Sequence, residues 1–476
     1  MSQNFSTFNS LSYTEAVDLC LSLADFERTT HSPNHSDFHL DRMIFLAGLL
    51  GDPQNSVPSV HIAGTKGKGS TSAMVASIID ASGKNVGLAT SPHLHSLRER
   101  IKFCMRSIPK DAFAKLVSDL WPFVKQTSVE GKHGGVTWFE FMVMAAFYYY
   151  ATKQANIQVI ETGLGGRLDA TNILSPEVSV ITSISLDHTK ILGDTIELIA
   201  KEKSGIIKRD TPVVVAPQPY GDQAYSVIAE VASQHSANVL DVGSAYELSV
   251  EPNDIYTQNV VVSGDIDEYA FKLPLLGAHQ AENAATAIAV SETLNLLGFE
   301  LSTSNIKDGL EAVHWPGRLQ VLQDHGPILM VDGAHNTHSA LSVVKTIEEM
   351  KRSELLKINR VILVFGVLSG HDSLGVLGQF ESLASLIVPV TSRHPRSSPS
   401  DFLEEQAQKL GIGLVQHSES LLSVREGIEL ALSVAGTDDL VLAIGSISVA
   451  AEVIEWKENI VPELYPNIPT GIEDKV

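Results

Sequence analysis

Short, nearly continuous apolar runs, each closing on Gly, Ser, Asp or Glu, alternate along the chain with stretches of helical periodicity. Val60–Ala63, Val86–Thr90, Ile157–Ile160, Val178–Ile184 and Val213–Ala216 read as strands covered by helices on both faces, because a half-exposed strand would alternate apolar with polar residues. Apolar spacing near 3.6 predicts helices over Thr71–Ala81, Asp111–Lys125, Phe139–Lys153, Thr195–Lys203 and Asn283–Leu297. Between Tyr246 and Lys272 the pattern changes. Leu248-Ser-Val, Val260-Val-Val and Tyr269-Ala-Phe are separated by turn residues and predict a small antiparallel excursion. A second series follows His314-Trp-Pro-Gly-Arg318, where Leu319–Leu322 and Ile328–Val331 predict a hairpin. Val361–Phe365, Ser385–Pro389 and Leu440–Ile444 continue it as strands with helical segments between, and Arg393–Ser400 reads as a Ser/Pro-rich loop. The pattern predicts two α/β units with a boundary near Glu311–Trp315, which gives domains of 1–312 and 313–476.

Composition narrows the class of partner. With 476 residues the chain has length for two to three domains and an ample core, and 44% hydrophobic with 19% charged residues is ordinary for a soluble enzyme. A formal net charge of −22 argues against a nucleic-acid groove, so a polyanionic substrate must meet local Lys, Arg or metal charge. Cys20 and Cys104 form no CxxC pair and suggest a reducing compartment. Met1–Leu19 carries Glu15 and Asp18 and shows no signal pattern; the longest apolar stretch, Phe139–Ala151, contains Glu140 and is too short to span a bilayer. A cytoplasmic monomer without membrane or nucleic-acid partners is expected.

The chemistry begins at Gly64-Thr65-Lys66-Gly67-Lys68-Gly69-Ser70, which follows one predicted strand and precedes one predicted helix. Glycines admit backbone N–H groups close to phosphate oxygens, the helix N-terminus adds positive potential, and Lys68 adds a full charge. ATP is the ligand this arrangement suggests. The spelling departs from the common phosphate loop, since two residues rather than four separate Gly64 from Gly67, and Gly69 intervenes before Ser70. The fold class expected is therefore α/β: an N-terminal P-loop ATPase-like domain with a mostly parallel sheet, and a C-terminal Rossmann-like α/β domain. Ligands of parallel sheets bind at the carboxyl ends of strands. There the sequence puts Ser91, Glu161 and His188, a hydroxyl, a carboxylate and an imidazole that suit Mg²⁺ bridging ATP phosphates. In the second unit Asp332-Gly-Ala-His335-Asn336 and Gly445-Ser446 follow strands in the same way, although Asp332 could instead cap a helix.

Together these motifs resemble the folylpolyglutamate synthase/dihydrofolate synthase family, a branch of the Mur-type amide ligases, from about Phe38 to Ala451. The resemblance is carried by Gly64–Ser70, Thr90-Ser-Pro-His-Leu94 with Glu99-Arg100, Thr137-Trp-Phe-Glu140 and Glu161-Thr-Gly-Leu-Gly-Gly-Arg-Leu-Asp-Ala-Thr-Asn172. It continues through Asp187-His-Thr189, Glu202-Lys-Ser-Gly205, Gln280-Ala-Glu-Asn283, Trp315-Pro-Gly-Arg318 and Asp332–Asn336. It implies two Mg²⁺ ions at Ser91, Glu161 and His188, and ATP at Gly64–Ser70, Asn283, Arg318 and Asp332. It implies a pterin near Thr137, Phe139, Asp169 and Ala170, and incoming glutamate at Arg100, His335 and Ser446. Lys203 matches a lysine that carries a carbamate, an N6-carboxylysine; without the resemblance it would read as a solvated lysine beside Glu197 or Glu202. Two departures stand out: Lys66 replaces a more frequent Asn, and Thr337 a more frequent Pro.

The activity implied is ATP-driven amide synthesis between L-glutamate and a folate or dihydropteroate, through an acyl phosphate, with Lys68, Lys203 and His188 as the catalytic set. Two alternatives are a UDP-sugar peptide Mur ligase and an inactive nucleotide-binding regulator. About sixty residues precede the phosphate loop, too few for the first alternative's UDP-binding domain, and retention of every metal and phosphate position argues against the second.

Overall fold

Two mostly parallel sheets, each clothed by helices, face one another across a cleft in the computed structural model, which describes residues 11–25, 27, 39–416 and 421–463. Part of the N-terminal segment read for a signal pattern, Met1–Ser10, and the start of the family resemblance at Phe38 lie outside the described residues.

The first sheet contains β1 (Ser59–Ala63), β2 (Val86–Ala89), β3 (Ile101–Phe103), β4 (Arg106–Ser107), β5 (Ile157–Glu161), β6 (Val178–Ile181), β7 (Val213–Val215) and β8 (Val239–Asp241). Their order is β4-β3-β2-β5-β1-β6-β7-β8, parallel from β2 to β8 and antiparallel at the β3 and β4 edge. β1 lies at the centre between β5 and β6, every residue of it buried, so the loop leaving its carboxyl end starts from a strand paired on both sides. Helices Lys68–Ala81 and Ala278–Leu296 cover one face, packing Met74, Ile78 and Ile288 onto Val60 and Ile62. Helices Lys110–Glu130 and Trp138–Thr152 build the second core with Phe113, Phe141 and Phe147. Glu140 sits in that apolar helix because it does two jobs. Its carboxylate closes the capping box with the Thr137 amide and pairs with Arg42 at 2.8 Å.

The antiparallel excursion appears as β9 (Glu247–Pro252), β10 (Gln258–Ser263) and β11 (Glu268–Leu273), a separate three-stranded sheet whose inner residues Val260, Val262 and Phe271 join the first core. The second large sheet holds β12 (Gln320–Gln323), β13 (Ile328–Val331), β14 (Val361–Phe365), β15 (Leu386–Pro389), β16 (Gly413–Leu414) and β17 (Leu440–Ile444). Its order is β12-β13-β17-β14-β15-β16, with the β12–β13 hairpin antiparallel and the rest parallel.

Differences from the sequence expectation are local. The helix after the phosphate loop starts at Lys68, three residues before Thr71, and β6 stops at Ile181 rather than Ile184. Strands β3, β4, β8 and β16 have no counterpart in the expectation; each is two or three residues long. Asp332 does not cap a helix, because Asn336 takes that place on Thr337–Arg352.

Candidate active site

The chain leaves β1 through Gly64 and turns into the next helix at Gly67, both with positive φ (152° and 85°). A Cβ on Gly64 would lie 1.8 Å from Thr182 Oγ1, and one on Gly67 would lie 2.2 Å from Asn283 Oδ1. Only glycine satisfies both the torsion and the space. Asn283 is fixed in this contact: its Oδ1 accepts from Thr71 Oγ1 at 3.4 Å and its Nδ2 donates to Gln280 Oε1 at 3.1 Å. The helix Lys68–Ala81 begins without a side-chain cap, so its first N–H groups point, unpaired within the helix, toward the cleft.

A single cavity of about 910 Å³ runs between the two sheets from this loop. Of the residues singled out in the sequence, Thr65–Ser70, Ser91, Arg100, Thr137, Phe139, Glu161, Asp169, Ala170, His188, Lys203, Asn283, Arg318, Asp332 and His335 all line it. Gly64 and Ser446 do not. Gly64 lies behind the loop, where its carbonyl accepts from Lys203 Nζ at 2.6 Å. Ser446 is buried and caps the helix Ile447–Glu458, its Oγ accepting from the Val449 amide at 3.2 Å.

Glu161, at the end of β5, accepts from the Ser91 amide at 2.9 Å and has no ion-pair partner among the described residues. Burial raises its carboxyl above the usual range, against the pull of Lys68 and the Ser91 amide. His188 sits at φ 48° ahead of the short helix Thr189–Leu192, its side chain half-exposed on the cavity rim and its Nε2 3.8 Å from Asp187 Oδ1. A hydroxyl, a buried carboxylate short of positive charge and an imidazole form a donor set that suits a hard divalent cation.

The solvated reading of Lys203 is overturned. Its side chain is buried, and burial, followed by the Lys68 charge, holds its pKa well below the usual lysine range. Glu202, the partner considered for it, pairs with Arg167 at 3.0 Å instead.

On the far side of the phosphate loop the Phe139 ring lies against Gly163, and Asp169 is held by its neighbours. The Asp169 carboxylate accepts from the amides of Leu164 (2.8 Å) and Thr171 (3.0 Å) and from Thr171 Oγ1 (2.5 Å), while His61 in β1 buttresses the same hydroxyl at 2.8 Å. Arg100 is already engaged: its fork pairs with the Glu27 carboxylate at 2.6 and 3.1 Å, its Nε donates to His93 Nδ1, and its guanidinium lies 4.3 Å over the Trp138 ring. The second sheet supplies Asp332, whose oxygens accept from the Leu319 and Ala334 amides, both at 2.7 Å, and His335, whose Nδ1 lies 3.0 Å from the Gly333 carbonyl. Burial pushes His335 down to about 3.

Sequence reasoning missed two groups of lining residues. They are His279, His338 and Ser342, and Arg393, His394 and Arg396. A signal for the second group was available, because Arg393–Arg396 follows β15 at its carboxyl end, the position that identified Ser91 and Glu161.

Two family models match the chain. The Mur ligase middle domain matches residues 112–291, and the Mur ligase glutamate ligase domain matches residues 317–447. A dihydrofolate synthase/folylpolyglutamate synthase of Bacillus subtilis is 33% identical over 427 residues, covering 87% of this chain and 94% of the relative. A probable bifunctional folylpolyglutamate synthase/dihydropteroate synthase of Haloferax volcanii is 32% identical over 429 residues; the match covers 88% of this chain but only 48% of that relative, so the chain spans about half its length. Among solved structures, the folylpolyglutamate synthase of Mycobacterium tuberculosis complexed with ADP superposes with a TM-score of 0.82 at 28% identity, covering 94% of this chain and 98% of that one.

Proposed function

Since the chain belongs to the dihydrofolate synthase/folylpolyglutamate synthase family of Mur-type ligases, we propose that it uses ATP to join L-glutamate to a folate. Polyglutamylation of tetrahydrofolate is the reaction meant, with dihydropteroate as a second acceptor. The observation that carries this reading is the continuity of one cavity from the open helix start at Lys68, past Glu161, to the Phe139 pocket and the rim of the second sheet.

A carboxylate is a poor electrophile toward an amine. Its oxygen therefore attacks the γ-phosphorus of ATP, ADP leaves, and an acyl phosphate forms; the glutamate amine then adds to the acyl carbon and displaces phosphate. In this reading the backbone of the Gly64–Ser70 loop, with Asn283, Arg318 and Asp332, binds the nucleotide, and the Lys68 ammonium stabilises charge on the transferring phosphoryl group. Ser91, Glu161 and His188 would hold Mg²⁺, two ions in all, which would add positive charge at the phosphate oxygens. Phe139 offers a flat apolar face to the pterin, with Thr137, Asp169 and Ala170 around it. Arg100 and His335 are assigned to the incoming glutamate; for Arg100 this requires exchange of the Glu27 carboxylate for the substrate's, whereas Ser446, buried as the cap of Ile447–Glu458, is left to the scaffold. The division at 312/313 puts the transfer between two halves whose approach excludes water from the acyl phosphate.

Lys203 belongs to the same reading as an N6-carboxylysine. The uncharged amine is the form that adds CO₂, forming an N–C bond and releasing one proton to solvent, and burial shifts Lys203 toward that form. Carbon-13 bicarbonate should then give a carbamate signal that Lys203→Ala lacks. A spectrum without it would remove the modification.

The overall reading is tested with purified protein, ATP and labelled glutamate, with tetrahydrofolate and dihydropteroate in parallel. ADP should appear only when glutamate and a pterin-bearing acceptor are both present. Turnover with a UDP-sugar peptide instead, or no turnover with any acceptor, would overturn it.

A further inference from the structure

The phosphate loop carries two lysines, and they go to different places. Lys68 lines the cavity and forms no ion pair among the described residues. Lys66 places its Nζ 2.7 Å from Asp187 Oδ2, with the two side chains only 18% and 15% exposed. The Asp187 carboxylate is a junction. Its Oδ1 accepts from the His188 amide at 2.9 Å, and its Oδ2 lies 3.5 Å from Nδ2 of Asn336 in the second half of the chain.

Backbone bonds repeat the connection between the two loops. The amides of Thr65 and Lys66 both donate to the Ser183 carbonyl, at 2.9 and 3.1 Å, and Thr65 Oγ1 donates to the Ser185 carbonyl at 3.2 Å. The stretch 183–188 is thus laced to the first half of the phosphate loop, and the Lys66–Asp187 pair is the last tie before His188. Moving the ammonium onto a phosphate would strand a largely buried carboxylate next to a polyanion, the arrangement low-dielectric electrostatics penalises most.

We propose that Lys66 is a positioning residue, which holds Asp187, and through it His188 and Asn336, against the phosphate loop, while Lys68 is the loop lysine that meets the phosphates. The proposal rests on the nucleotide and Mg²⁺ reading above. It also accounts for the departure at this loop position: the extra charge is matched inside the protein instead of being added to the ligand's surroundings.

Binding of the non-hydrolysable analogue AMPPCP, measured by calorimetry with EDTA and then with Mg²⁺, separates the two possible roles without any need for turnover. Lys66→Met and Asp187→Ala should each keep the EDTA affinity within about threefold of wild type and lose about tenfold of the Mg²⁺-dependent gain, because His188 is no longer held in place. The double variant should be no worse than the poorer single one, since both remove the same tie. Lys66→Asn, which can still donate to Asp187, should recover part of the gain and stands in if the methionine variant does not fold. A Lys66→Met protein that loses tenfold in EDTA, or an Asp187→Ala protein that keeps the full Mg²⁺ gain, would overturn the proposal and make Lys66 a phosphate ligand. A wild-type protein whose AMPPCP affinity ignores Mg²⁺ would instead defeat the metal reading itself.

Discussion

The two sheets offer the cleft the same feature, the carboxyl ends of parallel strands, yet the residues there are spent differently. On the first sheet Lys68 and Glu161 are without ion-pair partners among the described residues, and the helix from Lys68 begins uncapped. On the second sheet the corresponding groups are bound up in their own backbone. Asp332 holds two amides, Asn336 and Ser446 each cap a helix, and His335 rests on the Gly333 carbonyl. One rim is left polar and unpaired for a ligand to complete; the other is finished and presents a shape. The contrast teaches that two α/β units can share an architecture while their rim carboxylates differ: Glu161 accepts a single amide, from Ser91, and Asp332 accepts two.

The sharpest way to break the contrast is Lys68→Ala. Ligation should fall by about two to three orders of magnitude, as when one electrostatic contact to a transition state is removed, while the melting temperature stays near wild type. Wild-type turnover in that variant would mean the first rim is not the charged one. Asp332→Ala should show the opposite signature. Two buried amides lose their acceptor, at about 1–3 kcal/mol each, so the melting temperature should drop by several degrees and ligation should fall with it. An Asp332→Ala protein as stable as wild type but inactive would mean that Asp332 serves the nucleotide alone and does not hold the backbone of its rim. Glu161→Gln should raise the half-saturating Mg²⁺ concentration about tenfold, since an amide is a poorer ligand for a hard cation; an unchanged titration would make Glu161 structural. The smallest effect is expected at Ser446→Ala. Loss of an N-cap costs about 1 kcal/mol, with turnover within about twofold of wild type. A tenfold rise in the KM for glutamate at unchanged stability would instead put Ser446 in the substrate site and erase the difference between the rims.

How much of this was legible in the sequence depended on range. β1, β5 and β14 stood out because a strand buried on both faces needs an unbroken apolar run, and all three are buried throughout. The phosphate loop, Glu161 and His188 were found by their places after such runs. The first turn of the helix at Lys68 was missed because Lys-Gly-Ser shows no apolar period, although the backbone there is helical. Strands β4 and β16 are two residues long, too short for a period to register. Contacts between distant segments were the least visible. Lys203 reads as exposed within its own helix and is buried because Gly64, 139 residues away, receives its Nζ. Arg100 reads as free to bind a substrate carboxylate, yet Glu27, 73 residues earlier, occupies its fork. No local pattern encodes such pairs, because the partner's sequence neighbourhood is unrelated.

Trp315, in the connector that opens the second half of the chain, carries a consequence for anyone who would recombine these proteins. Its ring lies 3.0 Å from where a Cβ on Gly69 would be, and the ammonium of Lys102, on β3 of the first sheet, lies 4.7 Å from the ring centroid. Trp315-Pro-Gly-Arg318 therefore belongs to the nucleotide loop in space while belonging to the second half in sequence. A chimera joined just upstream of Trp315 would set a tryptophan positioned by one relative's second half against the Gly69 of another relative's loop. The seam for exchanging halves between relatives lies after Arg318, so that the donor of the loop also supplies the tryptophan that rests on it.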